Sequence, residues 1–222
     1  MEVTISQSLT DILDNVQLGV IEYEVDVVTD DDNVNCYFEK CLKSLDSLAV
    51  EEISHIQAIQ DTREAYKKLG KSPSKYRNAS EAMLRRIANK KGLYRVNNVV
   101  DVNNIMSITT GYSIGSYDMD KLQGNIYFDK AGACTYKGIG KELVNIENLP
   151  VLTDDIGFFG NPTSDSERSM VKEGRHQIMT VIYSFSKEDI TVVVEKYVKL
   201  LKELMVDRSL RIVNTKVVHK NK

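Results

Sequence analysis

Cysteine and histidine are scarce in this 222-residue sequence, three of each, at Cys36, Cys41 and Cys134 and at His55, His176 and His219. The cysteines are odd in number and show no close pair at metal-ligand spacing, so they are expected as core fillers in a reduced, cytoplasmic chain. The histidines lie far apart without the spacing of a zinc site, and no metal or cofactor is expected. No apolar run approaches the roughly 18 residues of a membrane span. The polar, acidic opening "MEVTISQSLTDILDN" lacks the basic-then-apolar pattern of a secretory signal. Repeats, low-complexity tracts and an evident linker are missing too. No catalytic triad or phosphate loop is visible, and "GIG" at 138–140 is a lone turn far from a dinucleotide fingerprint.

What is present is an ordinary globular balance, 42% hydrophobic and 27% charged, in a chain long enough for a substantial core. The net charge of −3 conceals strong segregation. Residues 1–62 carry 14 Asp and Glu against 2 Lys, residues 63–95 carry 11 Lys and Arg against Glu64 and Glu81, and the remainder carries 16 of each sign. A local basic stripe is the usual footprint of a phosphate-backbone partner. A solvated helix face is the alternative.

The hydrophobic pattern predicts one α+β domain with a helical N-terminal half. "GVIEYEVDVV" (19–28) alternates as a half-buried strand with Glu22, Glu24 and Asp26 outward. Two helices are expected between about 34 and 69, ended by "GKSPSKY". A third begins near Ser80, with Met83, Leu84 and Ile87 inward, and a fourth covers about 99–110. Short strands follow at 124–128, 142–146, 150–154 and 176–185. Between the last two lies a long polar loop, "GFFGNPTSDSERSM". A final helix is expected with Ser186 as N-cap, Asp189 as the acid of its first turn and a stripe of Ile190, Val194, Tyr197, Leu201 and Leu204. A strand at 208–213 precedes a frayed basic tail.

Two polar constellations carry the candidate chemistry. In the first, Asp101, Asn103 and Asn104 precede Ser116, Tyr117 and Asp118. They either tie down the "GSYD" turn or line a pocket for a small ligand. In the second, Thr163, Ser164, Asp165 and Ser166 offer hydroxyls, backbone N–H groups and a carboxylate. They either cap a helical turn or hold a phosphate, a ribose or a water.

The stretch "LRRIANKKGLYRVNNVVDVNNIMSITTGYSIGSYDMDKLQGNIYF" resembles the B3/B4 domain of the β subunit of phenylalanyl-tRNA synthetase. That domain has a basic helix, a Val-Val-Asp-Val-Thr-Asn step, a turn ending in Phe-Asp and a strand with a Gly-rich lead. The counterparts here are Val99 to Asn104, Tyr117-Asp118 and Gly124 to Phe128. "GKELVNIENLPVLTDDIGFFG" and "HQIMTVIYSF" are similar to the strands that follow. The likeness covers about residues 80–185, and the chain is similar to free-standing B3/B4 proteins. It implies a layered fold of mixed β-sheets with packed helices, one domain over 1–222. Its parts are an N-terminal strand and helices to about 75, a pocket-bearing core at 76–185, and a C-terminal helix and tail at 186–222.

The resemblance further implies hydrolysis of misacylated tRNA in trans. Asn103 and Asn104 fall where the family's Thr-Asn lines the editing pocket, and Gly115 falls where the family usually has His. An acid of the family's pocket aligns near Met170, which leaves Asp165 and Glu167 as the nearest carboxylates. The expected catalytic groups are therefore Asn104, Asp165 and Glu167. Asn103, Gly115, Ser116, Tyr117, Asp118, Thr163 and Ser164 are expected around the substrate. Lys75, Arg77, Arg85, Arg86, Lys90, Lys91 and Arg95 are expected on the tRNA backbone, since phosphate contacts position without specifying. The expected partner is the aminoacylated acceptor end of tRNA, with neither DNA nor membrane. A non-catalytic RNA-binding module and a small-molecule binder reusing the pocket are the competing readings.

Overall fold

The computed structural model describes residues 1–220. Along the chain lie β1 (Val3–Ile5), α1 (Gln7–Thr10), β2 (Gln17–Val27), α2 (Asp32–Ser44), α3 (Val50–Ile53), α4 (Gln57–Leu69), α5 (Ala79–Ala88) and α6 (Asn98–Thr110). They are followed by β3 (Ser113–Asp118), β4 (Ile126–Lys130), β5 (Thr135–Lys137), β6 (Leu143–Asn145), β7 (Pro150–Thr153), β8 (Phe158–Gly160), β9 (Gly174–Ser184), α7 (Thr191–Leu204) and β10 (Arg211–His219). The fold class is α+β. One antiparallel sheet has the order β10-β2-β9-β3, and a second has the order β1-β4-β7-β8 with β1 parallel to β4. The β5–β6 hairpin stands beside them.

The alternation in β2 sets the layers. Ile21, Tyr23, Val25 and Val27 pack with α2, α6 and α7, whereas Leu18 and Val20 face the second sheet. β9 does the same, with Ile178 and Ile182 toward the helices and Met179, Val181 and Tyr183 toward β4, β7 and β8. The result is a helix layer, a central sheet and an outer sheet, which covers the other face of β2 and β9 over Leu18, Val20, Met179, Val181 and Tyr183 and leaves Glu22, Glu24 and Asp26 partly open. α7 rests directly on β2 at Gly19, where an added Cβ would stand 2.5 Å from Val194 Cγ2. Only a glycine admits that approach. The expected stripe of α7 is buried as Ile190, Val194, Tyr197, Leu201 and Leu204, with Leu200 added.

Several local expectations are corrected. Ser186 does not cap α7. It is buried and donates to Asp61, while Ile190 occupies the N-cap position and Asp189 accepts from Thr191 N at 2.6 Å. The tail is no frayed end as far as His219, because β10 pairs with β2 along nearly its whole length; the last two residues lie outside the described residues. Three helices, α2, α3 and α4, lie where two were expected between about 34 and 69. The "GSYD" turn is instead the end of strand β3, and the 157–170 loop contains β8 and a 3-10 turn at Glu167–Ser169.

Candidate functional site

A cavity of about 230 Å³ opens where the edge strand β3 faces the segment that follows β8, with α5 and α6 closing its other sides. Ala79 and Met83 of α5, Val100 of α6 and Ile114 of β3 supply apolar wall. Asn103, Asn104, Ser116, Thr163, Ser164 and Asp165 all line it, so both polar constellations meet around one space.

On the α6 side Asn103 and its partners form a neutral, mutually satisfied network. Asn103 Nδ2 donates to Ser116 Oγ at 2.9 Å, and Tyr197 OH donates to Asn103 Oδ1 at 2.6 Å. Ser116 and Thr180 share a hydrogen bond at 2.5 Å, and Thr180 reaches Tyr23 OH at 3.0 Å. Burial holds the Tyr23 and Tyr197 hydroxyls above the usual phenol range, so the network stays uncharged. Asn104, half-buried beside it, faces the cavity. Asp101 points elsewhere. Its carboxylate accepts from Arg95 Nε at 3.0 Å and from Val96 N at 3.1 Å, which fastens the entry to α6 and not the "GSYD" segment.

On the opposite side the 161–166 segment is strapped down by its own side chains and by tyrosines. Asn161 Oδ1 accepts from Thr163 N at 2.7 Å and Ser164 N at 3.0 Å, and Asn161 Nδ2 donates to Ser164 O at 3.0 Å. Tyr66 OH pairs with Thr163 Oγ1 at 2.8 Å, and Tyr136 OH donates to Ser164 O. The backbone N–H groups of residues 163 and 164 are thus consumed within the loop, and an incoming ligand meets side chains instead.

Asp165 is the charged member of this wall. It keeps some surface on the cavity, but its carboxyl is packed in elsewhere, and burial pushes its pKa up to about 7. Tyr117 OH donates to Oδ1 at 2.8 Å and Asn161 N at 3.3 Å, each opposing the shift. Tyr117 also meets Tyr183 hydroxyl to hydroxyl. The same ring accounts for Gly115. A Cβ there would lie 2.2 Å from Tyr117 OH, and so would one at Gly160. The position where the resemblance leads one to look for His has no room for any side chain, because a tyrosine held by Asp165 occupies it.

The remaining candidates fall outside the cavity lining. Gly115 and Tyr117 lie beneath Asp165, as described. Asp118 is buried at the end of β3, where its side chain accepts from Asp120 N. Glu167 is exposed and pairs with Lys137 at 2.7 Å. Asn161, Tyr136 and Tyr183 were not singled out in the sequence. The excess of Tyr (11) over Phe (5) was the available signal, since a buried Tyr brings a hydroxyl that must find a partner.

Five of the seven basic candidates, Lys75, Arg77, Arg85, Arg86 and Lys91, line one groove of about 300 Å³. At about 100° per residue, the groove face of α5 (Ala82, Arg85, Arg86) lies roughly a quarter-turn from the cavity face (Ala79, Met83). The buried Glu81 orders this face, accepting from Arg63 at 2.9 Å and Arg85 at 2.8 Å with Arg77 at 3.9 Å. Arg86 stacks on Tyr94, which is 76% exposed. Lys90 and Arg95 are engaged elsewhere. Lys90 pairs with Asp46 at 2.6 Å, and Arg95 is held by Asp101, Asn35 and the Phe38 ring. Among the described residues no helix is long and apolar enough to cross a membrane.

A family model described as "B3/4 domain" matches residues 61–220. No curated protein sequence matches the chain. A solved N-terminal fragment of the phenylalanyl-tRNA synthetase β-subunit from Pyrococcus horikoshii is similar at 14% identity with a TM-score of 0.46, over 95% of this chain and 50% of that one. The chain spans about half the length of that fragment. It belongs to the B3/4 domain family.

Proposed function

We propose that this B3/4 domain protein binds the acceptor end of aminoacylated tRNA and hydrolyses the ester of wrongly charged tRNA in trans. One observation carries the reading: Asn104 and Asp165, about 60 residues apart in sequence, line one cavity a quarter-turn of α5 away from a basic groove. At about 230 Å³ the cavity is smaller than the roughly 300–1,000 Å³ of most ligand sites, which suits an aminoacyl group and leaves the nucleotides outside. The groove would take the phosphates, and Tyr94 beside Arg86 offers a stacking surface for an unpaired base.

Ester hydrolysis requires a proton acceptor for the attacking water and a donor for the oxygen that becomes charged. Asp165 fits the first role. With its pKa near 7 it is a stronger base than an ordinary carboxylate and is still substantially ionised at neutral pH. Both of its hydrogen bonds fall on Oδ1, which leaves Oδ2 to receive the water's proton. Asn104 fits the second role through its amide, with the terminal hydroxyl of the tRNA assisting. Thr163 and Ser164 hydroxyls would hold the substrate's polar atoms.

The test is deacylation of a panel of mischarged tRNAs by the purified chain. At least one should be hydrolysed, and Asn104→Ala should lower the rate tenfold or more, about 1.4 kcal/mol of barrier, while tRNA affinity is unchanged. Charge reversal at Lys75, Arg77 and Lys91 should abolish tRNA binding, whose wild-type affinity should fall steeply with salt. Binding without hydrolysis would make the protein a non-catalytic module. Neither binding nor hydrolysis would leave the cavity to a small molecule.

A further inference from the structure

We propose that Asp118, Asp120 and His176 bind one divalent transition-metal ion of the zinc class, a site independent of the tRNA reading above. The three side chains come from the end of β3, the 3-10 turn after it and the neighbouring strand β9. Each offers one ligand atom, and these atoms lie within 4.8 Å of one another. Asp118 is paired across the ladder with Ile178, so His176, two residues along β9, projects from the same face.

The histidine supplies an observation independent of the cluster. Its Nε2 lies 3.3 Å from the Glu173 carbonyl, which can only accept, so Nε2 carries the proton. In the neutral ring Nδ1 is then a bare lone pair. That atom is buried and without a hydrogen-bond partner. It faces Asp118 Oδ2, itself an acceptor, at 3.4 Å, while Asp118 Oδ1 is occupied by Asp120 N. A ring nitrogen and a carboxylate oxygen facing one another out of water offer a place for a cation between them. A shared proton would draw the atoms to about 2.7–2.9 Å. A tetrahedral ion with bonds of about 2.0–2.1 Å sets its ligands about 3.4 Å apart, the separation found here.

The ring N–H donated to a backbone carbonyl is also the usual way in which a metal-binding histidine is oriented. One imidazole with two carboxylates favours zinc-like ions over magnesium or calcium, which prefer oxygen alone. Asp120 is exposed, which gives an entry path and leaves a fourth position to water. Bound there, the ion would clasp the edge strand β3 to β9 at the end beyond the cavity.

Titration of Zn²⁺ into the chelator-treated full chain, followed by calorimetry, tests the proposal, with Mg²⁺ as control and Co²⁺ absorption as the report on geometry. The expected result is one ion per chain, tetrahedral Co²⁺ bands, no competition by Mg²⁺, and affinity lowered at least tenfold by Asp120→Asn and further by His176→Gln. Asp120 lies on the surface, so its variant separates loss of a ligand from loss of the fold. Absence of saturable Zn²⁺ binding would overturn the proposal. So would binding unchanged in both variants, which would place the ion on other histidines or cysteines.

Discussion

The two walls of the cavity answer one problem, polar groups out of water, with different chemistry. On the α6 side Asn103, Ser116, Thr180, Tyr23 and Tyr197 exchange neutral hydrogen bonds, and each donor meets an acceptor. On the loop side a carboxyl sits among Tyr117, Tyr183 and Tyr136, and burial raises its pKa more than its hydrogen bonds lower it. A satisfied neutral network stabilises and does not titrate. A buried acid costs stability when ionised, and that cost is a mark of a working group more than of a scaffold. The α6 wall is thus a neutral, satisfied support around Asn104, and the loop wall holds the one titrating group, Asp165.

The largest expected effect breaks that contrast on the loop side. Asp165 has a folded pKa of about 7 against 3.8 in the free residue, so between those values the native state holds more protons than the unfolded one. Its contribution to stability therefore falls as pH rises from about 4 to 7 and stays low above it. Asp165→Asn should match wild type near pH 4 and exceed it at pH 8 by up to about 4 kcal/mol, read from denaturant melts across pH. A pH-independent difference would show that the carboxyl is not buried as described.

Gly115→Ala comes next. Its Cβ would stand 2.2 Å from Tyr117 OH, and the fully buried ring has nowhere to move without releasing Asp165. The expected loss is about 1–3 kcal/mol of unfolding free energy. A neutral substitution would mean that Tyr117 is free to turn away. Tyr197→Phe sharpens the comparison from the other wall. Removing one donor to Asn103 should cost about 1 kcal/mol, equally at pH 5 and pH 8, because nothing in that network ionises.

The same contrast explains what was legible in the sequence. The alternation of β2 and the stripe of α7 were readable, since each buries one face against one layer. α6 was harder, because it is buried almost all round, Asp101, Asn103 and Ser107 included, and an amphipathic pattern cannot assign its faces. β3 read as a turn because Gly, Ser and Asp fill "SIGSYD". Yet Gly115 is there for the room it leaves Tyr117, and Asp118 for the turn it caps. Asn103, Asn104 and Asp165 could be named as polar residues in two places. That they face one space follows from the pairing of β3 with β9 and the placement of β8, contacts made across the chain that no local pattern carries. Ser186 has the residue type of an N-cap, but its bond to Asp61 takes it out of that role.

The hydrolysis proposed above rests on Asp165 as its base. Its most direct test is the pH profile of deacylation on a mischarged tRNA that the chain hydrolyses, for wild type and Asp165→Asn. The expected result is a wild-type rate that rises with pH to a plateau, with an apparent pKa near 7, and a variant slower by at least a hundredfold that still binds the tRNA. A variant with the full rate, or a wild-type rate that does not change between pH 5 and pH 8, would contradict it.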